Sequence, residues 1–199
     1  MADSQTIDVY NTRTDQYRDM VAAIGVPAGL KKFIAALPAG GRALDLGCGV
    51  GNCATIMAKR GLAVECIDAS AEMVKSAIEL YGLSARHAGF ADLDDCDLYD
   101  GIWANFSLLH AAKSELPQHI AAIHRALRSN GVFFIALKIG DGESRDDFGR
   151  FYAYYQKTEL QDVVEQAGFR VFESIGGIDK GLAGHLSEWV GLLCRKPSQ

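Results

Sequence analysis

Ala43-Leu44-Asp45-Leu46-Gly47-Cys48-Gly49-Val50-Gly51-Asn52 decides how the rest of the chain reads. An apolar run carries an acid, three glycines alternate with other residues, and a helical pattern follows through Ala54, Ile56, Met57 and Ala58 to Gly61. This is a strand feeding a tight turn into a helix. Glycine supplies positive φ and lets a ligand come closer than a Cβ would allow. The helix start offers free N–H groups and the positive end of a dipole. The turn is therefore expected to hold a ligand against its backbone at the carboxyl end of a strand.

The glycine spacing is G-x-G-x-G, whereas a dinucleotide fingerprint is G-x-G-x-x-G. Downstream, the second strand covers residues 63–67 and ends in Asp68, about 20 residues beyond the turn, where an acid can accept both hydroxyls of a ribose. An Asp here is also a common helix cap, and NAD enzymes place an acid at the same position, so Asp68 alone does not choose the cofactor. Ser70 is expected to cap a helix over 70–80. Met73 then faces the strand end, as core or as a soft thioether against a ring. A short third strand covers 85–88, and the loop Gly89-Phe90-Ala91-Asp92-Leu93 follows.

The fourth strand covers 99–104 and leads into Asn105, Phe106 and, a turn later, His110. It lies beside the first, at the switch point of the sheet, so Asn105 and Phe106 are expected to border the ligand. His110 reads either as a base or substrate-orienting residue or as a packed helix histidine. A helix over 114–128, a turn at Ser129-Asn130-Gly131 and a wholly apolar fifth strand at 132–137 come next. Residues 138–155 form a long glycine-rich, charged and aromatic loop, and long ordered loops are usually functional. Arg150 reads as a contact for an anionic acceptor, because guanidinium matches carboxylate geometry, or as a brace paired with Asp146 or Asp147. Tyr152 offers an aromatic wall. Thr158 is expected to cap a helix ending at Gly168. A sixth strand at 170–175, a loop at 176–184 and a seventh strand at 187–195 close the chain. Alternating strands and helices imply a mostly parallel sheet with helices on both faces.

The segment DLGCGVG (45–51) resembles the first motif of class I S-adenosylmethionine-dependent methyltransferases. Asp68-Ala69-Ser70-Ala71-Glu72-Met73 is similar to the family's Asp-x-Ser-x-x-Met, and Tyr99 to His110 is similar to its YDGIWAxxSLLH stretch. The resemblance covers about residues 8–196. It implies a Rossmann-like, seven-stranded, mostly parallel sheet with an antiparallel last strand. It implies S-adenosyl-L-methionine as cofactor and direct methyl transfer to a small-molecule acceptor. Carried over position by position, it assigns the cofactor to the turn (Asp45, Gly47, Cys48, Gly49, Gly51) and to the second strand end (Asp68, Ala69, Met73). Phe90, Ala91 and Asp92 would close over adenine, Phe90 by stacking and Asp92 by a hydrogen bond. Asn105 and Phe106 would border the methionine part; the resemblance is not specific in the substrate region, and His110, Arg150 and Tyr152 are expected from their positions to serve the acceptor. In the expected helix over 4–23, Tyr10, Thr14 and Tyr17 share one face and resemble a Tyr-x3-Ala-x2-Tyr pattern that covers the cofactor, with Thr14 in place of Ala. Tyr17 is then a cofactor residue, or these tyrosines simply dock the helix.

At 199 residues the chain is expected to be one domain, with a helical cap at 1–37 and a core at 42–196. A net charge of -5 without a long basic run argues against a phosphate-tracking nucleic-acid surface. No apolar stretch reaches membrane-helix length, and the first residues are too polar for a signal peptide. Five scattered cysteines form no CxxC pair, which fits reduced thiols in the cytoplasm; no metal site is expected. A monomer or homodimer is expected. Two other readings stay open. One is an NAD(P)-dependent oxidoreductase, against which the glycine spacing speaks. The other is a catalytically silent adenosylmethionine-binding module.

Overall fold

The computed structural model describes residues 3–198; Met1, Ala2 and Gln199, the ends of the expected 1–199 domain, lie outside the described residues. Strands β1 (Arg42–Leu46), β2 (Ala63–Asp68), β3 (Ser84–His87), β4 (Tyr99–Asn105), β5 (Leu127–Lys138), β8 (Arg170–Lys180) and β9 (Leu186–Arg195) form one sheet in the order β3-β2-β1-β4-β5-β9-β8. Six strands run one way. β9 pairs antiparallel with both β5 and β8, so it alone runs against the rest. This is the expected Rossmann-like sheet. The order reverses between β1 and β4, which places their carboxyl ends at the switch point.

Alternation along the strands divides the core between the two faces. On one face Leu44, Leu46, Ile102, Phe133 and Ile135 pack under α6 (Leu116–Ala126) and α7 (Lys157–Gln166). On the other, Ala43, Trp103 and Phe134 pack under α3 (Leu30–Ala35) and α4 (Asn52–Lys59), with Trp103 and Phe134 stacked at 3.9 Å. β1, β4 and the second half of β5 are therefore covered on both sides, which is why they read as near-continuous apolar runs.

The structure departs from the sequence reading in several places. The expected first helix breaks at Arg13 into α1 (Ser4–Thr12) and α2 (Thr14–Ile24). Thr12 and Thr14 both donate back to the preceding turn, to the Asp8 and Tyr10 carbonyls, at 2.9 and 2.8 Å. Such back-bonding bends helices. Residues 138–155 are not one loop but contain a hairpin, β6 (Glu143–Arg145) and β7 (Phe151–Ala153). β8 runs to Lys180, through most of the expected 176–184 loop, because β9 pairs with it throughout. Thr158 does not cap α7. Gln156 does, with Glu159 returning a bond to its N–H. Ser70 does cap α5 (Ala71–Tyr81), its Oγ accepting from Met73 N at 3.2 Å. No helix among the described residues is long and apolar enough to cross a membrane, and no group of three or more metal-ligating side chains occurs among them.

Candidate cofactor and acceptor site

Two adjoining hollows open where β1, β2, β4 and β5 end. The first, the glycine-turn cleft, lies over β1 and β2 and is lined by Gly47, Gly49, Asp68, Ala69, Met73 and Phe90. The second is a cavity of about 340 Å³ reaching toward β5 and the β8–β9 hairpin, with Asp45, Cys48, Lys138, Arg150, Tyr152 and Trp189 on its walls. Tyr10, Tyr17, Gly47, Asn105, Phe106 and His110 border both.

The turn is held by its neighbours. Gly47 has φ +78, and a Cβ there would stand 2.3 Å from the Cβ of Ser107, whose Oγ donates to the Leu46 carbonyl at 2.6 Å. The end of β4 thus presses directly on the turn, and only glycine fits between. Gly49 N donates to Asp68 Oδ2 and Ser70 N to Asp68 Oδ1, each at 2.8 Å. Asp68 therefore ties turn to strand end, and burial raises its pKa. Tyr17 lies against Gly49 from α2. Gly51 is the N-cap of α4 at φ +84, outside the lining.

Asp45 is the unusual carboxylate. It is buried, its Oδ2 has no hydrogen-bond partner, and burial, with the Asp68 charge second, raises its pKa to about 7. Cys48 points its thiol at the Gly49 carbonyl; its contact with Cys66 and then burial push its pKa far up, so it stays a thiol. Phe90 opens a short 3-10 turn, edge-on to His119 at 5.6 Å. Ala91 and Asp92 are exposed and outside the lining, and Asp92 Oδ2 accepts from Gly89 N at 2.7 Å. Asp92 caps its own turn, because three residues of 3-10 helix bring that N–H within its reach. At the end of β4, Phe106 sits at φ +56, and its ring meets Trp189 edge-on at 5.6 Å. A phenylalanine in left-handed backbone is strained, and such strain persists only where the surroundings enforce it.

The far wall is one hydrogen-bonded chain. The Phe151 carbonyl can only accept, so His110 Nδ1 carries the proton at 2.6 Å, and Nε2 accepts from the Tyr10 hydroxyl at 2.9 Å. Arg150 Nη1 donates to that hydroxyl at 3.0 Å, while Nε and Nη2 donate to Asp146 Oδ2 at 3.0 and 2.6 Å. Arg150 is 2% exposed. Of the two sequence readings, its geometry is that of the brace with Asp146. His110 is half-buried, and loss of solvent around its ring lowers its pKa to about 3, so it is neutral with both ring nitrogens engaged. Tyr152 packs edge-on against His110 at 4.7 Å. α1 clasps both sides of the site. Ser70 Oγ donates to Asn11 Oδ1 at 2.7 Å, Phe151 N donates to Thr6 Oγ1 at 2.8 Å, and Arg145 pairs with Asp3.

Sequence reasoning placed Tyr10 on a face that covers the cofactor and Lys138 in the 138–155 segment, but gave neither an individual role. The face that Tyr10 shares with Tyr17, and the place of Lys138 at a strand end, were the available signals. Ser107 and Trp189 carried none, since their roles arise from contacts with distant segments.

Residues 43–131 match a family described as "Methyltransferase domain". An "Uncharacterized methyltransferase" of Staphylococcus carnosus (strain TM300) is 25% identical over 177 residues, covering 81% of this chain and 84% of that protein. Burkholderia thailandensis 1,6-didemethyltoxoflavin-N1-methyltransferase, solved with 1,6-didemethyltoxoflavin and S-adenosylhomocysteine, superposes with a TM-score of 0.76. It is 21% identical, over 98% of this chain and 88% of that one. A S-adenosylmethionine-dependent methyltransferase from Methanosarcina mazei also reaches a TM-score of 0.76, at 14% identity, over 88% of this chain and all of that one. The domain match spans the glycine turn, Asp68 and the end of β4, the elements that meet at the switch point, so this part of the chain is similar to the methyltransferase domain family, and the whole fold is similar to that of solved S-adenosylmethionine-dependent methyltransferases.

Proposed function

We propose that the chain is a class I S-adenosylmethionine-dependent methyltransferase that methylates a small molecule by direct displacement, within one domain made of the 42–196 core and the 1–37 helical cap. The observation that carries this reading is the cavity of about 340 Å³ that continues the glycine-turn cleft past Asn105 and Phe106. Its size suits a small acceptor. The Burkholderia neighbour, whose structure holds 1,6-didemethyltoxoflavin and S-adenosylhomocysteine, supports it.

The residues present fit the cofactor. Asp45 Oδ2, buried without a partner, is an acceptor for the ammonium group. Each Asp68 oxygen accepts one backbone bond and keeps a lone pair for a ribose hydroxyl. Met73 and Phe90 would flank the adenine, while Tyr17 covers the turn and Cys48 fills space. Ala91 and Asp92 shape the loop from outside. The bound cofactor supplies a methyl group on a sulfonium, a leaving group already activated. The chain's task is then alignment and exclusion of water. Asn105 and Phe106 set the boundary between the two substrates, and Tyr152 is a wall for the acceptor. His110 and Arg150 hold Tyr10 and the β6–β7 hairpin in place; neither moves a proton.

Calorimetry and transfer of labelled methyl to a panel of small acids, phenols, amines and thiols test this. S-adenosylhomocysteine should bind, NAD should not, and at least one small molecule should be methylated. Tight NAD binding without S-adenosylhomocysteine binding, or methylation confined to macromolecules, would overturn it.

A further inference from the structure

We propose that Lys138 selects the acceptor, and that the acceptor is a small planar aromatic or heteroaromatic anion; this rests on reading the second cavity as the acceptor site. Lys138 ends β5 and pairs with Trp189 of β9, so its backbone is fixed by the sheet. Its Nζ lies 4.2 Å from the centroid of the Tyr152 ring, half-buried on the cavity wall. No carboxylate among the described residues pairs with it. The neighbouring cation is already matched, because Asp146 takes two bonds from Arg150. Lys138 therefore faces this cavity without a paired carboxylate, whereas Asp179 and Lys180, which also border it, are exposed; burial, then the Arg150 charge, pushes the Lys138 pKa down, the sign of a cation short of a partner.

The walls describe the rest of the ligand. Phe106 and Trp189 meet edge-to-face at 5.6 Å, and Tyr152 and His110 at 4.7 Å, which leaves flat apolar surfaces suited to a ring. Among the less exposed lining groups, carboxylates Asp45 and Asp68 lie toward the glycine turn and the Lys138 ammonium toward β5, with the exposed Asp179 and Lys180 at the β8–β9 hairpin. His110 offers no free base at the junction, since both its nitrogens are engaged. An acceptor that arrives deprotonated needs none. Its electron pair forms the bond to the methyl carbon, the carbon–sulfur bond breaks with its pair left on sulfur, and no proton moves. Lys138 holds that acceptor as the anion and orients it on Tyr152.

The test is calorimetric, on the full chain saturated with S-adenosylhomocysteine at pH 8.5, with two matched probe pairs: benzoate against benzamide, and 4-nitrophenolate against nitrobenzene. The anion of each pair should bind about tenfold more tightly than its neutral partner, the size of one charged hydrogen bond. Lys138→Met should remove that preference while leaving the neutral probes and S-adenosylhomocysteine unaffected, and Lys138→Arg should restore most of it. Equal binding within the pairs, unchanged discrimination in Lys138→Met, or no binding of either anion at millimolar concentration would each overturn the inference. Methyl transfer to a neutral amine that Lys138→Met leaves intact would overturn it too, yet would keep the small-acceptor reading. Lysine-dependent anion binding without transfer to any small molecule would leave Lys138 as an anion contact but remove the small-acceptor reading, and with it the inference that Lys138 selects an acceptor.

Discussion

In the glycine-turn cleft, Asp68 bonds the N–H of Ser70, two residues on, and that of Gly49 in the neighbouring strand-turn unit. In the adjoining cavity, Arg150 reaches a tyrosine 140 positions away, and His110 reaches a carbonyl 41 positions on. The first region is made from two consecutive strand-turn-helix units, each largely satisfied by its own backbone. The second is assembled from α1, the end of β5 and two hairpins, and buried polar bonds join them. Local construction gives a site that one motif can specify. Remote construction gives a site whose shape depends on every segment being in place at once.

Breaking the remote brace should have the largest effect. Arg150→Met leaves Asp146 without its cation in a largely buried position, and should lower the unfolding free energy by about 3–5 kcal/mol in urea titrations. Below its melting temperature the variant should still bind S-adenosylhomocysteine within severalfold of wild type. A loss under ~1 kcal/mol would show that the hairpin is held by packing and not by the ion pair.

A paired glycine substitution sharpens the contrast. Gly47→Ala forces a residue at φ +78 against Ser107, and should be destabilising by about 2–4 kcal/mol from backbone strain plus overpacking, with loss of cofactor binding. Gly142, in the hairpin at φ +70, has nothing within 4 Å of an added Cβ, so Gly142→Ala should show only the strain, about 1 kcal/mol. Equal losses at both sites would contradict the close approach of β4 to the turn.

Asp68→Ala acts within the cleft alone. It should weaken S-adenosylhomocysteine binding by about 1.5–3 kcal/mol, or one to two decades, by calorimetry, with the acceptor-side probes unaffected. Normal cofactor binding would reduce Asp68 to a tie between turn and strand.

The smallest expected effect within the cleft is a pH dependence confined to Asp45. Its pKa is about 7 folded and near 3.8 when solvated, so between these values the folded chain holds more protons than the unfolded one. Stability contributed by this group is present at low pH and falls as pH rises through the window from about 4 to about 7. Between pH 6 and pH 8 the loss should be about 1.4 kcal/mol in wild type, measured against Asp45→Asn. Binding S-adenosylhomocysteine, whose ammonium favours the ionised carboxylate, should release a proton near pH 6. Calorimetry in buffers of different ionisation enthalpy would show it, and no release would mean that the ammonium lies elsewhere.

By itself the sequence determined the sheet and the cleft. Apolar runs of the right length placed β1, β2, β4 and the buried half of β5. The alternating glycines with Asp68 and Ser70 marked turns whose conformation depends on residues within a few positions, so pattern and spacing sufficed. Only the tertiary structure decided the adjoining cavity. Nothing local in Arg150 chooses between meeting a ligand and pairing with Asp146; the choice follows from Tyr10 arriving on α1 and from Phe151 bonding Thr6 and His110. Asp92, plausible as an adenine partner from its loop, is taken by the Gly89 N–H of its own 3-10 turn. Lys138 is left without a paired carboxylate among the described residues, Asp146 being taken by Arg150. A buried polar group binds whatever the fold brings within about 3 Å of it, and across more than a hundred residues that distance is set by packing and not by spacing in the chain.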